Sequence, residues 1–245
     1  MSRVRVLADD EKQLVLSEAL LMYRSGRGEV YATTHPIHAD PLDPRRSMIG
    51  PGSPLTKAAL AGFAKAVGAA TTFGGFVPEQ LLYTSPNLIA WWAPESIRRC
   101  WFKSPEAAIG ERAADVAHPA LVFVVTSGDW FVFALRDSAR PTPDTKLFES
   151  PHFNVWAGGR ICTGNVDLPP AITAGAIPAY EDAFHRSHFT HPNRADAVNY
   201  PGGMTALWRD QLALPDMAAM RGALKKSKET LRQAINRIAN LPQQP

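Results

Sequence analysis

Two pairs of short apolar runs, each pair joined by a three-residue turn, constrain the fold of this chain more than any other feature. Gln80–Thr84 and Leu88–Trp92 flank Ser85-Pro86-Asn87, and Ala120–Thr126 and Trp130–Arg136 flank Ser127-Gly128-Asp129. β-branched and aromatic residues fill these runs, and so short a connection reverses the chain, which predicts two antiparallel hairpins. Ile97–Phe102 extends the second run or adds a strand, and Ser104–Val116 reads as a helical insertion or a long loop. Ahead of the hairpins Thr56 caps a predicted helix, Lys57–Val67, in which Leu60, Phe63, Ala64 and Val67 recur at helical spacing. A helix, four strands and later helices predict an α+β layer, a meander with helices packed on one face.

The flanking regions differ in character. Val4–Leu7, Leu14–Leu16, Ala19–Tyr23 and Glu29–Thr33 read as short strands, with a turn at Ser25-Gly26-Arg27-Gly28. Asp40–Pro54 is rich in proline and glycine and reads as a linker or exposed loop, which divides the chain into residues 1–50 and 51–245. After Arg136 a proline- and glycine-rich stretch runs to Pro170. It lacks periodicity yet carries core-type residues (Phe148, Phe153, Val155, Trp156, Ile161), the composition of an ordered functional loop. A helix is predicted from about Pro178 to Ser187, and a last amphipathic one from Asp216 to about Asn240, with Met217, Met220, Leu224, Leu231, Ile235 and Ile238 inward.

Composition removes several function classes. At 245 residues the chain can bury a real core, and 45% hydrophobic with 20% charged content is that of a globular protein. Its apolar runs are too short to span a bilayer and its start lacks a signal-peptide pattern, so no membrane association and a cytoplasmic location are expected. A formal charge of +3 is too mild to argue for nucleic acid, which is an unlikely partner. Phe73-Gly74-Gly75-Phe76 lacks the lysine of a phosphate loop, and neither a cofactor nor a metal is expected.

The chemistry centres on Cys162. With only two cysteines, Cys100 and Cys162, free thiols are the better reading than a disulfide. Cys100 lies in an apparent strand and reads as core. Cys162 lies between Gly158-Gly159 and Gly164, where the backbone turns tightly and the approach is uncrowded. An accessible thiolate needs donors for the oxyanion of a tetrahedral intermediate. Asn154 offers an amide eight residues upstream, and His152 lies ten upstream.

These residues resemble ubiquitin-conjugating enzymes. That family carries a His-Pro-Asn tripeptide with its asparagine eight residues before the catalytic cysteine, and a Gly-x-Ile-Cys ending; His152-Phe153-Asn154 and Gly159-Arg160-Ile161-Cys162 stand at those spacings. The closer likeness is to the PRTRC-system protein B family, through Ser150–Trp156, Ile161–Asn165 and Ser187–Asn193. The resemblance covers roughly residues 55–210. It implies a ubiquitin-conjugating-like fold: helix, four-stranded antiparallel meander, long active-site loop and C-terminal helices, here with an N-terminal β extension. It implies that Cys162 accepts a ubiquitin-like protein as a thioester from an adenylating activating enzyme and passes it to an amine on an unknown target. Asn154 would then stabilise the oxyanion, and His152 would hold the loop by a hydrogen bond. The rival reading is a non-catalytic scaffold of the same fold in a plasmid- or defence-associated complex.

Two departures accompany the resemblance. The family's middle proline is Phe153, and the acidic residue that helps the attacking lysine has no assured counterpart, with Asp167 and Asp182 as candidates. His191-Pro192-Asn193 carries the literal tripeptide but follows the cysteine, so it reads as a decoy. His185, His188 and His191, spaced by three, suit one helix face, but no carboxylate or cysteine pair completes a metal set. The basic run Arg221, Lys225, Lys226, Lys228, Arg232 and Arg237 reads as a solvated face, with an acidic partner as the functional alternative.

Overall fold

The computed structural model describes residues 16–26, 30–43, 46–62, 76–164, 166–169, 171–194 and 196–241. The predicted strand Val4–Leu7, most of Leu14–Leu16, and positions 63–67 of the predicted helix lie outside them. The chain divides into two compact units, Met1–Gly75 and Phe76–Pro245.

In the first unit β1 (Glu18–Arg24) and β2 (Val30–Ala39) pair antiparallel, with Tyr23 opposite Tyr31. The proline-rich stretch expected as a linker instead supplies two short strands, β3 (Ser47–Ile49) and β4 (Ser53–Pro54), both paired with β2. His35 secures this return: its Nδ1 lies 2.9 Å from the Gly50 carbonyl and its Nε2 2.8 Å from Thr33 Oγ1. Residues 57–62 are helical (α1), and the Thr56 hydroxyl accepts from the Ala59 N–H at 3.1 Å, as an N-cap should.

The second unit is built on a sheet of six strands, β5 (Leu81–Ser85), β6 (Leu88–Ala93), β9 (Ala120–Thr126), β10 (Trp130–Leu135), β11 (Lys146–Phe148) and β13 (Lys226–Thr230), adjacent in that order and antiparallel throughout. Both predicted hairpins are present, β5–β6 and β9–β10. Between them the chain leaves the sheet as β7 (Ser96–Lys103) and β8 (Glu111–His118), a hairpin that forms a second sheet with β12 (His188–Phe189), parallel to β7. Ser104–Val116 is therefore a turn followed by strand rather than a helical insertion. Its pairing partner is β7, a tertiary fact that local periodicity does not carry.

Helices cover both faces of the main sheet, where the sequence suggested one. On one face Trp91, Phe123 and Trp130 pack against Tyr180 and Phe184 of α2 (Ile177–Arg186), while Trp208 of α3 (Gly203–Ala213) meets Phe102 and His118 of the β7–β8 hairpin. On the other, Val122, Val124, Phe131 and Phe133 pack against Leu231, Ala234, Ile235 and Ile238 of α5 (Leu231–Ala239). Two-sided burial is why Ala120–Val125 and Trp130–Leu135 are apolar at every position instead of alternating.

The predicted single C-terminal helix is three elements. α4 (Met217–Gly222) ends early, β13 adds to the sheet edge beside β11, and α5 restarts from a capping box in which Thr230 and Gln233 exchange side-chain and backbone bonds. The apolar spacing across Met217–Ile238 is shared between two helices on different faces, which a single-helix reading cannot distinguish. The basic residues of this region are largely paired: Arg221 with Glu95, Lys225 with Asp196, Arg232 with Asp144 and Arg237 with Glu229. No helix among the described residues is long and apolar enough to cross a membrane.

Candidate active site

The cysteine loop is a tight reversal laid along β10. Val155 pairs with Ile161 and Phe131 with Arg160 as isolated bridges, and the Ile161 N–H donates to the Trp130 carbonyl at 2.7 Å. Gly158 and Gly159 both have positive φ, 75° and 85°. At Gly159 a Cβ would lie 2.8 Å from the Val132 carbonyl oxygen and from the Phe133 ring, so only glycine lets the turn rest on the sheet. Arg237 of α5 holds the outside of the turn, donating to the Gly158 carbonyl at 3.1 Å while paired with Glu229.

The segment before the turn is pinned residue by residue. Trp208 Nε1 donates to the Pro151 carbonyl at 2.6 Å. His152 is fully buried, its Nδ1 2.9 Å from Ser150 Oγ and its Nε2 2.9 Å from His118 Nδ1. Phe153, at the position of the family's proline, is fully buried and meets Phe102 edge-on at 5.7 Å. A bulky apolar anchor thus fixes a backbone that proline would fix by restricting φ.

Asn154 adopts a left-handed conformation, φ 61°, which asparagine tolerates better than other residues with a side chain. It clasps three segments. Its carbonyl accepts from the Cys162 N–H at 2.7 Å, and its own N–H donates to the His191 carbonyl at 3.1 Å. Its side-chain Oδ1 accepts from the Thr190 N–H at 3.1 Å and hydroxyl at 2.7 Å, and its Nδ2 donates to the His188 carbonyl at 2.8 Å. An amide nitrogen carries two hydrogens, so the His188 bond leaves a second one for another acceptor.

Cys162 is exposed and lines a cleft of about 400 Å³ with Asn154, Thr163, Arg186, His188 and Thr190. The structure therefore brings Cys162 and Asn154 to one cleft and leaves His152 behind it, in the core. Asp167 and Asp182 are exposed and do not line the cleft. His191-Pro192-Asn193, set aside on spacing, lies beside the predicted tripeptide through the Asn154–His191 backbone bond. Arg186, His188 and Thr190 were not legible as site residues, because their proximity to Cys162 depends on where α2 ends and β12 docks.

The three histidines spaced by three do not converge. His185, the penultimate residue of α2, is buried with its ring 4.8 Å from that of His118, whereas His188 and His191 are exposed beyond the helix end. Among the described residues no group of three or more histidine, cysteine or acidic side chains is placed to hold a metal ion. His118, His152 and His185 form a buried cluster instead. Desolvation lowers all three, His118 to about 3, and their mutual repulsion when charged lowers His152 and His185 further.

A mixed α/β unit of antiparallel sheets is compatible with an E2-like fold. Residues 57–221 match the family model of prokaryotic E2 family D, and the chain belongs to that family. At the level of the family this means a ubiquitin-conjugating-like function and ubiquitin-like proteins as partners. No curated protein and no solved structure matches the chain.

Proposed function

We propose that this protein is a ubiquitin-conjugating-like carrier of the PRTRC-system protein B kind, with the E2 arrangement of helix, meander and active-site loop. Cys162 accepts the C-terminal carboxyl group of a ubiquitin-like protein as a thioester from an adenylating activating enzyme and transfers it to an amine. The observation that carries this reading is the single exposed cysteine of the second unit, held in a cleft by a hydrogen bond from its own N–H to the residue at the family's asparagine position. Attack on the thioester builds negative charge on the carbonyl oxygen, and the donor assigned to it is the uncommitted N–H of the Asn154 amide, which lines the same cleft. His152 supports the loop from below through Ser150 and His118, and its burial keeps it out of proton transfer.

The test is incubation with the cognate activating enzyme, ubiquitin-like protein and ATP, read on a non-reducing gel. A thiol-sensitive adduct lost in Cys162→Ala and kept in Cys100→Ala is expected. An adduct that survives Cys162→Ala overturns the assignment. A Cys162 thiol that forms no adduct and resists alkylation in the folded protein favours the scaffold reading instead.

A further inference from the structure

Two side chains of the Cys162 cleft have no part in the transfer as described so far. Arg186 is the last residue of α2 and His188 the first of β12. Both are exposed, both line the cleft, and neither side chain has a hydrogen-bond or ion-pair partner among the described residues. Asn154 bonds the Cys162 N–H and the His188 carbonyl at once, at 2.7 and 2.8 Å, so the loop that carries the thiol and the strand that carries this imidazole are tied to one residue.

Among the described residues that line the cleft, Arg186 is the one with a fixed charge. The loop at 162–166 contributes the Cys162 thiol, α2 contributes Arg186, β12 contributes His188, and no carboxylate lines the cleft among the described residues. Asp182 lies one turn before Arg186 and Asp167 one residue beyond Val166, both exposed and outside the lining. His191, the next titratable group along the chain, has its Nδ1 2.9 Å from Thr190 Oγ1.

An acidic residue would draw in a lysine as its ammonium and then have to release a proton from it. A cation at the cleft acts the other way. It disfavours the ammonium form and so raises the fraction of amine that carries a free lone pair, the same effect by which a neighbouring cation activates catalytic lysines. We infer, resting on the carrier reading above, that the cleft receives its amine uncharged, with Arg186 repelling the ammonium form and His188 accepting the proton released on transfer. The amine nitrogen attacks the thioester carbonyl carbon, the C–N bond forms, and the C–S bond breaks with its electron pair leaving on Cys162 Sγ. The surplus proton on nitrogen passes to the His188 ring and from there to the departing thiolate or to water. Nothing else is consumed. Imidazole is the side chain suited to accepting a proton near neutral pH.

The test bypasses the unidentified protein partners. A synthetic peptide ending in Gly-Gly is supplied as its C-terminal thioester and exchanged onto Cys162 of the full chain. Discharge is then followed from about pH 6 to about pH 9 with N-acetyl-lysine and, separately, with hydroxylamine, a weakly basic amine that is uncharged through most of that range. Arg186→Gln should move the rising limb of the lysine profile to higher pH and lower the lysine-to-hydroxylamine rate ratio about threefold near neutral pH. The change is small because an exposed guanidinium is screened by solvent and salt. His188→Ala should slow discharge to both amines by about tenfold or more and alter its dependence on pH. An unchanged ratio in Arg186→Gln, or an unchanged pH profile in His188→Ala, overturns the inference while leaving the carrier reading intact. Failure of Cys162 to accept the peptide overturns the carrier reading and this inference with it.

Discussion

The two cysteines of this protein stand in opposite surroundings, and the contrast shows what makes a thiol usable. Cys100 lies in the middle of β7, opposite Ala114 of β8 and fully buried, where desolvation pushes its thiol far up. Cys162 lies on a loop, exposed, with its backbone fixed by Asn154 and its side chain free in a cleft. The first contributes apolar volume. The second has its main chain held by Asn154 while its thiol stays exposed to solvent.

The largest expected effect breaks the pair outright. Cys162→Ala should abolish the thiol-sensitive adduct, while Cys100→Ala should keep it and lower stability by only about 1 kcal/mol, measured by urea unfolding. Alkylation under native conditions sharpens the same contrast. Cys162 should react at least about a thousand times faster than Cys100, which is reached only through opening of the β7–β8 sheet, and comparable rates would contradict the buried placement.

The next effects fall on what holds the cysteine loop. Phe153→Ala should destabilise the protein by about 3–5 kcal/mol, because the side chain is fully buried against Phe102. Gly159→Ala should lose about 2–4 kcal/mol, from positive φ and the collision with the sheet, whereas Gly158→Ala, whose Cβ would meet only the Arg237 guanidinium at 3.6 Å, an ordinary contact, should lose only about 1 kcal/mol. Asn154→Gly is the informative change at the clasp. Glycine keeps the left-handed backbone, and with it the bonds to Cys162 and His191, while deleting only the amide. It should slow discharge to an amine about a hundredfold and loading less; equal slowing of both steps would assign the amide to structure alone.

A further difference lies in pH. His118, His152 and His185 stay neutral when folded because burial holds their affinity for protons down, and an unfolded histidine titrates near pH 6.5. Between about pH 6.5 and the lowered folded values the unfolded chain binds more protons, so stability is full above that window and falls as pH drops through it. At about pH 5 the loss should be up to about 2 kcal/mol for each histidine that remains neutral, seen as a falling Tm. His118→Gln should flatten this dependence, and a Tm constant from about pH 7 to about pH 5 would contradict the burial of the cluster.

Much of the fold was legible because hairpins are local. The turns Ser85-Pro86-Asn87 and Ser127-Gly128-Asp129 bring β5 against β6 and β9 against β10 through local chain reversal, whereas the β6–β9 pairing that joins the two hairpins is long-range. The inserted β7–β8 hairpin and the break of the C-terminal helix at β13 were not legible. A strand such as Lys226–Thr230 exists because β11 offers it an edge, and nothing in its own residues announces that. At the candidate site the spacing of Asn154 and Cys162 was readable, since a short tight loop keeps near neighbours near. The left-handed backbone of Asn154 and its clasp on Thr190 and His188 were not, being contacts across more than thirty residues.

The sequence by itself determined the pairing of the hairpins, the glycine-bounded loop and the placing of one cysteine on that loop, because each depends on residues close along the chain. Only the tertiary structure decided which face α5 covers, that His152 is locked beneath the loop rather than beside the thiol, and that Arg186 and His188 share the cleft of Cys162. Those outcomes depend on where α2 ends and how β12 docks on β7, and burial and long-range hydrogen bonding settle both only once the whole unit has packed.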